Sequence, residues 1–171
     1  MSRVQVGTLY LPMTALREQS DMLQTIVETA RENGTQVRFV REDLEFPTKR
    51  GKIRALKPDL LESGNDGGLC VLAAGEKYDI LMTGDLSEQA EYRLLSTHDL
   101  PHAAVLIAGH HGAASSTSEA LLRAIKPEAV LISVGADNRF GHPADKTLCR
   151  IRNAGAAVFR TDLSGTITIR G

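Results

Sequence analysis

The chain has 171 residues, 42% of them hydrophobic, which is enough to bury one sizeable core and close to the usual size of a single domain, here spanning 1–171. Twenty basic and 21 acidic residues leave a net charge of −1, which excludes a global basic field drawing the chain toward nucleic acid or an anionic membrane. No run approaches the roughly 18 to 20 consecutive apolar residues that cross a bilayer. Met1-Ser2-Arg3-Val4 lacks the apolar run of a signal peptide, so the sequence as it stands reads as soluble and cytoplasmic.

In chain order, residues 4–12 alternate and are rich in β-formers up to Pro12, the pattern of a strand. With Ser20 or Asp21 as N-cap, Leu23, Ile26, Val27 and Ala30 recur at helical spacing until Gly34 supplies a stop. Short strands are expected at 36–40, 44–46 and 52–56, each flanked by breakers. Residues 68–73 and 78–85 read as a hairpin of buried strands with Asp85 at its far end.

Regular alternation follows: a helix over 87–97, a strand over 103–108, a helix over 116–125, a strand over 129–134, a helix after Pro143, and a closing hairpin around Ser164-Gly165. Ser116-x-x-Glu119 fits a capping box, Pro143 a first helical turn and Gly155 a helix end. Strand and helix in turn argue an α/β fold. Cys70 and Cys149 lie in apolar-patterned segments and not in a C-x-x-C pair, so both are expected to be buried thiols.

Three polar clusters follow apolar strands: Thr83-Gly84-Asp85, Gly109-His110-His111-Gly112 and Asn138-Arg139-Phe140-Gly141-His142-Pro143. In α/β folds the carboxyl ends of strands are where ligands bind. Asp85 either presents its two oxygens to a metal or caps the helix starting near Ser87. The imidazoles of His110 and His111, held between glycines, can approach a metal or phosphate closely. On extended backbone they would point apart, leaving one as a ligand and the other as its support or as a proton donor; the alternative is a turn whose histidines bond nearby carbonyls. His142 follows Asn138 and Arg139, an amide and a guanidinium that could hold an anion, although a plain surface turn explains the segment equally well. Asn65-Asp66-Gly67-Gly68 is mainly a turn signal.

Taken together with Gly64-Asn65-Asp66-Gly67-Gly68-Leu69, Ile132-Ser133-Val134-Gly135 and Arg160-Thr161-Asp162, these motifs resemble, in order and spacing, the C-terminal metallo-β-lactamase-like domain of ComEC competence proteins. The resemblance runs from about Lys52 to the end and more loosely from Val4. It implies an αββα sandwich, of which this chain would be the C-terminal portion only, and a binuclear site of Zn²⁺ or Mn²⁺. It also implies phosphodiester hydrolysis, a nuclease activity on DNA in competence and DNA uptake. By the same resemblance Asp85 is the metal-bridging aspartate, His110 or His111 the late metal-binding histidine, and His142 a phosphate contact or proton donor, with His110 sharing a catalytic part.

The family's H-x-H-x-D-H cluster is absent, and no H-x-H occurs in the sequence. One carboxylate and one or two imidazoles fall short of the three protein ligands of a catalytic zinc site. The expectation is therefore a truncated hydrolase, weak or inactive alone, whose exposed sheet edge and apolar face favour a homo-oligomer or a partner supplying the missing N-terminal half. The competing expectation is a catalytically inactive α/β module kept for binding or assembly.

Overall fold

The computed structural model describes residues 4–18 and 20–170. Its main sheet has seven strands in the order β3-β4-β5-β6-β7-β8-β9. These are β3 (Leu44–Thr48), β4 (Gly51–Leu56), β5 (Cys70–Gly75), β6 (Asp79–Met82), β7 (Val105–Ile107), β8 (Ala129–Ile132) and β9 (Ala157–Arg160). The first four pair antiparallel, and β6 to β9 run parallel. Two further strands, β1 (Thr8–Pro12) and β2 (Gln36–Val40), form a separate parallel pair.

The helices are α1 (Ala15–Glu18), α2 (Asp21–Glu32), α3 (Glu88–Thr97), α4 (Glu119–Ile125), α5 (Asp145–Asn153) and α6 (Thr161–Ser164). Ser20 caps α2 by accepting from the Leu23 amide at 3.1 Å. In register across the sheet, Leu72, Leu81, Leu106 and Val130 stand side by side on one face. Strand alternation sends this row toward Leu121, Leu122, Ile125, Leu148 and Ile151 of α4 and α5, and the set forms the main core. Burying each such side chain contributes about 2 kcal/mol. The other face carries Val71, Ala73, Ile80, Met82, Ile107 and Leu131, all partly exposed.

The small sheet lies on that second face. Tyr10 meets Phe46 edge-on with ring centroids 5.1 Å apart, and the Thr14 hydroxyl donates to the Gly67 carbonyl at 2.6 Å. Leu9, pointing the opposite way from Tyr10, lines a cleft with Ile26 and Ala30 of α2. The layers are therefore α2, β1–β2, the seven-stranded sheet, and α3 to α5.

Several expectations change. The first strand begins at Thr8, not at Val4. Pro143 stands ahead of Ala144, the N-cap of α5, and so outside its first turn. The N-cap of α4 is Ser118, which accepts from Leu121 N at 3.2 Å. Ser116 cannot serve there because its hydroxyl donates to the Leu86 carbonyl at 2.7 Å. The closing hairpin around Ser164 is replaced by α6. The Thr161 hydroxyl accepts from Val134 N and donates to Val134 O, both at 2.8 Å, which turns the chain back over β8. Cys149 is exposed on α5, whereas Cys70 is buried as expected.

Candidate functional site

Because β6, β7, β8 and β9 are parallel, their carboxyl ends share one edge of the sheet. Asp85 follows β6, His110 and His111 follow β7, His142 lies between β8 and α5, and Thr161 follows β9. This is the edge at which open α/β sheets bind ligands.

The turn after β7 is tied to its neighbours on both sides. His110 N donates to Gly84 O at 3.0 Å, setting the histidine turn against the Gly84-Asp85 turn. On the other flank Ala144 N donates to Gly112 O at 2.9 Å, and Thr147 Oγ1 donates to Ala113 O at 2.7 Å. Gly112 has φ +82°, and a Cβ there would come 2.7 Å from Pro143 Cβ, so only glycine lets the two loops meet this closely.

His110 (φ 48°) and His111 (φ 55°) are both left-handed, a conformation that costs non-glycine residues of order 1 kcal/mol or more each. The extended backbone expected of this pair is therefore replaced by a tight left-handed turn. The imidazoles of His110 and His111 lie 6.5 Å apart, and those of His110 and His142 5.7 Å apart, so the structure gathers all three histidines singled out in the sequence.

Their remaining bonding capacity decides what they can do. His111 Nδ1 lies 2.7 Å from the Ser133 carbonyl, which can only accept. Nδ1 is therefore the donor, which in the neutral ring leaves the Nε2 lone pair free, the arrangement found in metal-ligating histidines. The half-buried Asp85 carboxylate accepts no hydrogen bond among the described residues. Its capping alternative fails, since Ser87 is the N-cap of α3 and accepts from Ala90 N at 3.3 Å. Two residues before Asp85, the buried Thr83 hydroxyl has no hydrogen-bond partner among the described residues.

Other polar residues are structural. Asp66 accepts from Ser87 N at 2.7 Å and Ser87 Oγ at 2.8 Å, joining the Asn65–Gly68 turn to α3. The Asn138 amide donates to His142 O at 2.6 Å and to Gly135 O at 3.1 Å, while Asn138 Oδ1 accepts from His142 N at 2.9 Å. Asn138 thus shapes the His142 loop and has no amide proton to spare for an anion, and Arg139 lies over Phe140, 5.2 Å from its ring centre. The Arg160 guanidinium beside Asp162 holds that carboxyl below the usual range, through bonds of 3.0 and 2.5 Å.

Sequence reasoning passed over Glu91, fully buried on α3. Its two oxygens accept from Thr117 N and Ser118 N, both at 2.7 Å, and Thr117 Oγ1 in turn accepts from Gly109 N at 3.1 Å. A carboxylate on the polar side of an amphipathic pattern gave no sign of this.

As a metal site the assembly is partial. Asp85 and His111 have the right chemistry, but no group of three or more His, Cys, Asp or Glu able to hold a metal forms among the described residues.

No protein-family model matches the chain. It is 29% identical to ComE operon protein 3 of Bacillus subtilis over 97% of its own length. It is 35% identical to the competence protein ComA of Neisseria gonorrhoeae over 66% of its length, and 33% identical to recombination protein 2 of Haemophilus influenzae over 61%. The chain spans 21%, 17% and 13% of these relatives. Among solved structures it resembles a metal-dependent hydrolase from Parabacteroides distasonis, with TM-score 0.50, 12% identity, and coverage of 79% of this chain and 61% of that one. The chain is accordingly similar in sequence to a segment of competence proteins and has a metallo-β-lactamase-like α/β fold.

Proposed function

We propose that the chain carries part of the metal centre of a phosphodiesterase, with DNA as substrate class and Zn²⁺ or Mn²⁺ as the metal, and that alone it hydrolyses weakly or not at all. The observation that carries this reading is the donor set on one sheet edge: an unengaged Asp85 carboxylate and three clustered imidazoles, with His111 anchored so that Nε2 is free. Asp85 and His111, the latter through Nε2, would hold the metal, and His110 would hold it too or move a proton. His142 meets the scissile phosphate. The remaining ligands come from another segment or polypeptide, a second copy or a partner.

Metal held there would supply charge to the phosphate oxygens and would activate water for attack near neutral pH. Likeness to competence and recombination proteins supports DNA as the substrate. A second reading, an inactive α/β binding or assembly module, is favoured by the absence of a three-residue metal group among the described residues.

Metal content of the purified chain, with calorimetric Zn²⁺ and Mn²⁺ titration of wild type, Asp85→Ala and His111→Ala, separates the two. Near-stoichiometric binding lost in both variants supports the metal centre. Background metal in wild type sinks it and leaves the binding module.

A further inference from the structure

Beside the imidazole cluster lies a cleft of about 460 Å³, lined by His111, Ser133, Val134, Asn138, Phe140 and Thr161 among others. Its size is that of a small-ligand site. Phe140 is 69% exposed there. It is stacked on His142, with centroids 6.0 Å apart and planes at 23°, while the Arg139 guanidinium lies over it. Phe140 and His142 thus give the cleft a wall of two stacked rings, with the Arg139 guanidinium adding a positive charge beside Phe140.

The lining also limits what can bind. The Asn138 amide is consumed by Gly135 and His142, the Thr161 hydroxyl by Val134, and His111 Nδ1 by Ser133. A sugar, which needs many directional partners, would find few free. A planar ring held by stacking needs none, and an anion attached to it would meet the His142 imidazole on the same wall.

We propose that this cleft is a nucleobase-stacking subsite, in which the exposed ring of Phe140 holds a base of single-stranded DNA with its phosphate at His142. Such stacking tolerates any base, because each presents a π-face. The inference rests on the phosphodiesterase reading for the role of the phosphate, but its test does not depend on hydrolysis.

The experiment is fluorescence anisotropy of fluorescein-labelled oligothymidylate and of an abasic oligomer of equal length, titrated with wild type, Phe140→Ala and Phe140→Tyr. We expect wild type to bind oligothymidylate about tenfold more tightly than the abasic strand, in line with stacking energies per base. That preference should vanish in Phe140→Ala and persist in Phe140→Tyr. Displacement by thymidine 5′-monophosphate at comparable concentration would assign the same stacking site to a free nucleotide. Equal affinity of wild type for the two oligomers, an unchanged preference in Phe140→Ala, or no saturable binding by wild type overturns the proposal. Parallel metal titration keeps the readings apart: base preference without metal binding removes the metal centre only, and metal binding without base preference removes the subsite only.

Discussion

At the residue scale the two thiols differ in what they can do. Burial, reinforced by the Glu91 carboxylate, pushes Cys70 up to about 12, while Cys149 sits exposed on α5. Only thiolate reacts with disulfide reagents. Native protein at pH 8 should therefore release one equivalent of chromophore from Ellman's reagent quickly, and a second only after unfolding. Two fast equivalents would contradict the buried setting of Cys70. The sequence put both cysteines inside, because an apolar-patterned helix does not reveal which of its sides faces the sheet. For His110 and His111, too, the extended backbone expected from the sequence gives way, here to a left-handed turn. The left-handed geometry and the Nδ1 contact with Ser133 arise only when β8 lies alongside β7.

At the element scale, strands and helices were legible where apolar runs or 3.6-residue spacing were strong, as in α2, α3 and β5 to β8. What escaped was anything set by a distant partner. Ser118 displaced Ser116 as cap of α4 because Leu86 and Glu91 claim the polar groups around it. The last hairpin gave way to α6 because Thr161 bonds to Val134, 27 residues earlier. Glu91 is the most demanding of these cases. Its removal strands two buried amides at the start of α4, so Glu91→Ala should cost about 3 kcal/mol in urea unfolding, and Glu91→Gln, which keeps one acceptor, less. Burial pushes this carboxyl above its usual 4.5, against the lowering effect of the Ser118 and Thr117 bonds and of Arg150. Since the folded chain then holds the proton more tightly than the unfolded one, this contribution is complete below 4.5 and is lost as pH rises through the folded value. Wild type should lose stability relative to Glu91→Gln as pH is raised from about 4.5; parallel curves would show that Glu91 does not titrate differently on folding.

At the scale of the whole molecule the seven-stranded sheet has two unequal faces. One is closed by α3, α4 and α5, where Leu106 is fully buried; the other has β1–β2 over its β3 side and leaves Ile107, the next residue along the same strand, partly exposed. Adjacent residues of β7 therefore sample the two faces with strand position held constant. Leu106→Ala removes a side chain from a closed core and should cost about 3 kcal/mol, since the cavity cannot collapse onto a rigid sheet. Ile107→Ala removes one that already meets solvent and should cost about 1 kcal/mol, because less transfer energy is lost and water fills the space. Chemical denaturation of both variants at micromolar concentration measures the difference directly. Should Ile107→Ala prove as costly as Leu106→Ala, the second face is covered in solution by something beyond β1–β2. Repeating the measurement over a hundredfold range of protein concentration then separates a second copy, whose contribution grows with concentration, from cover supplied within the chain.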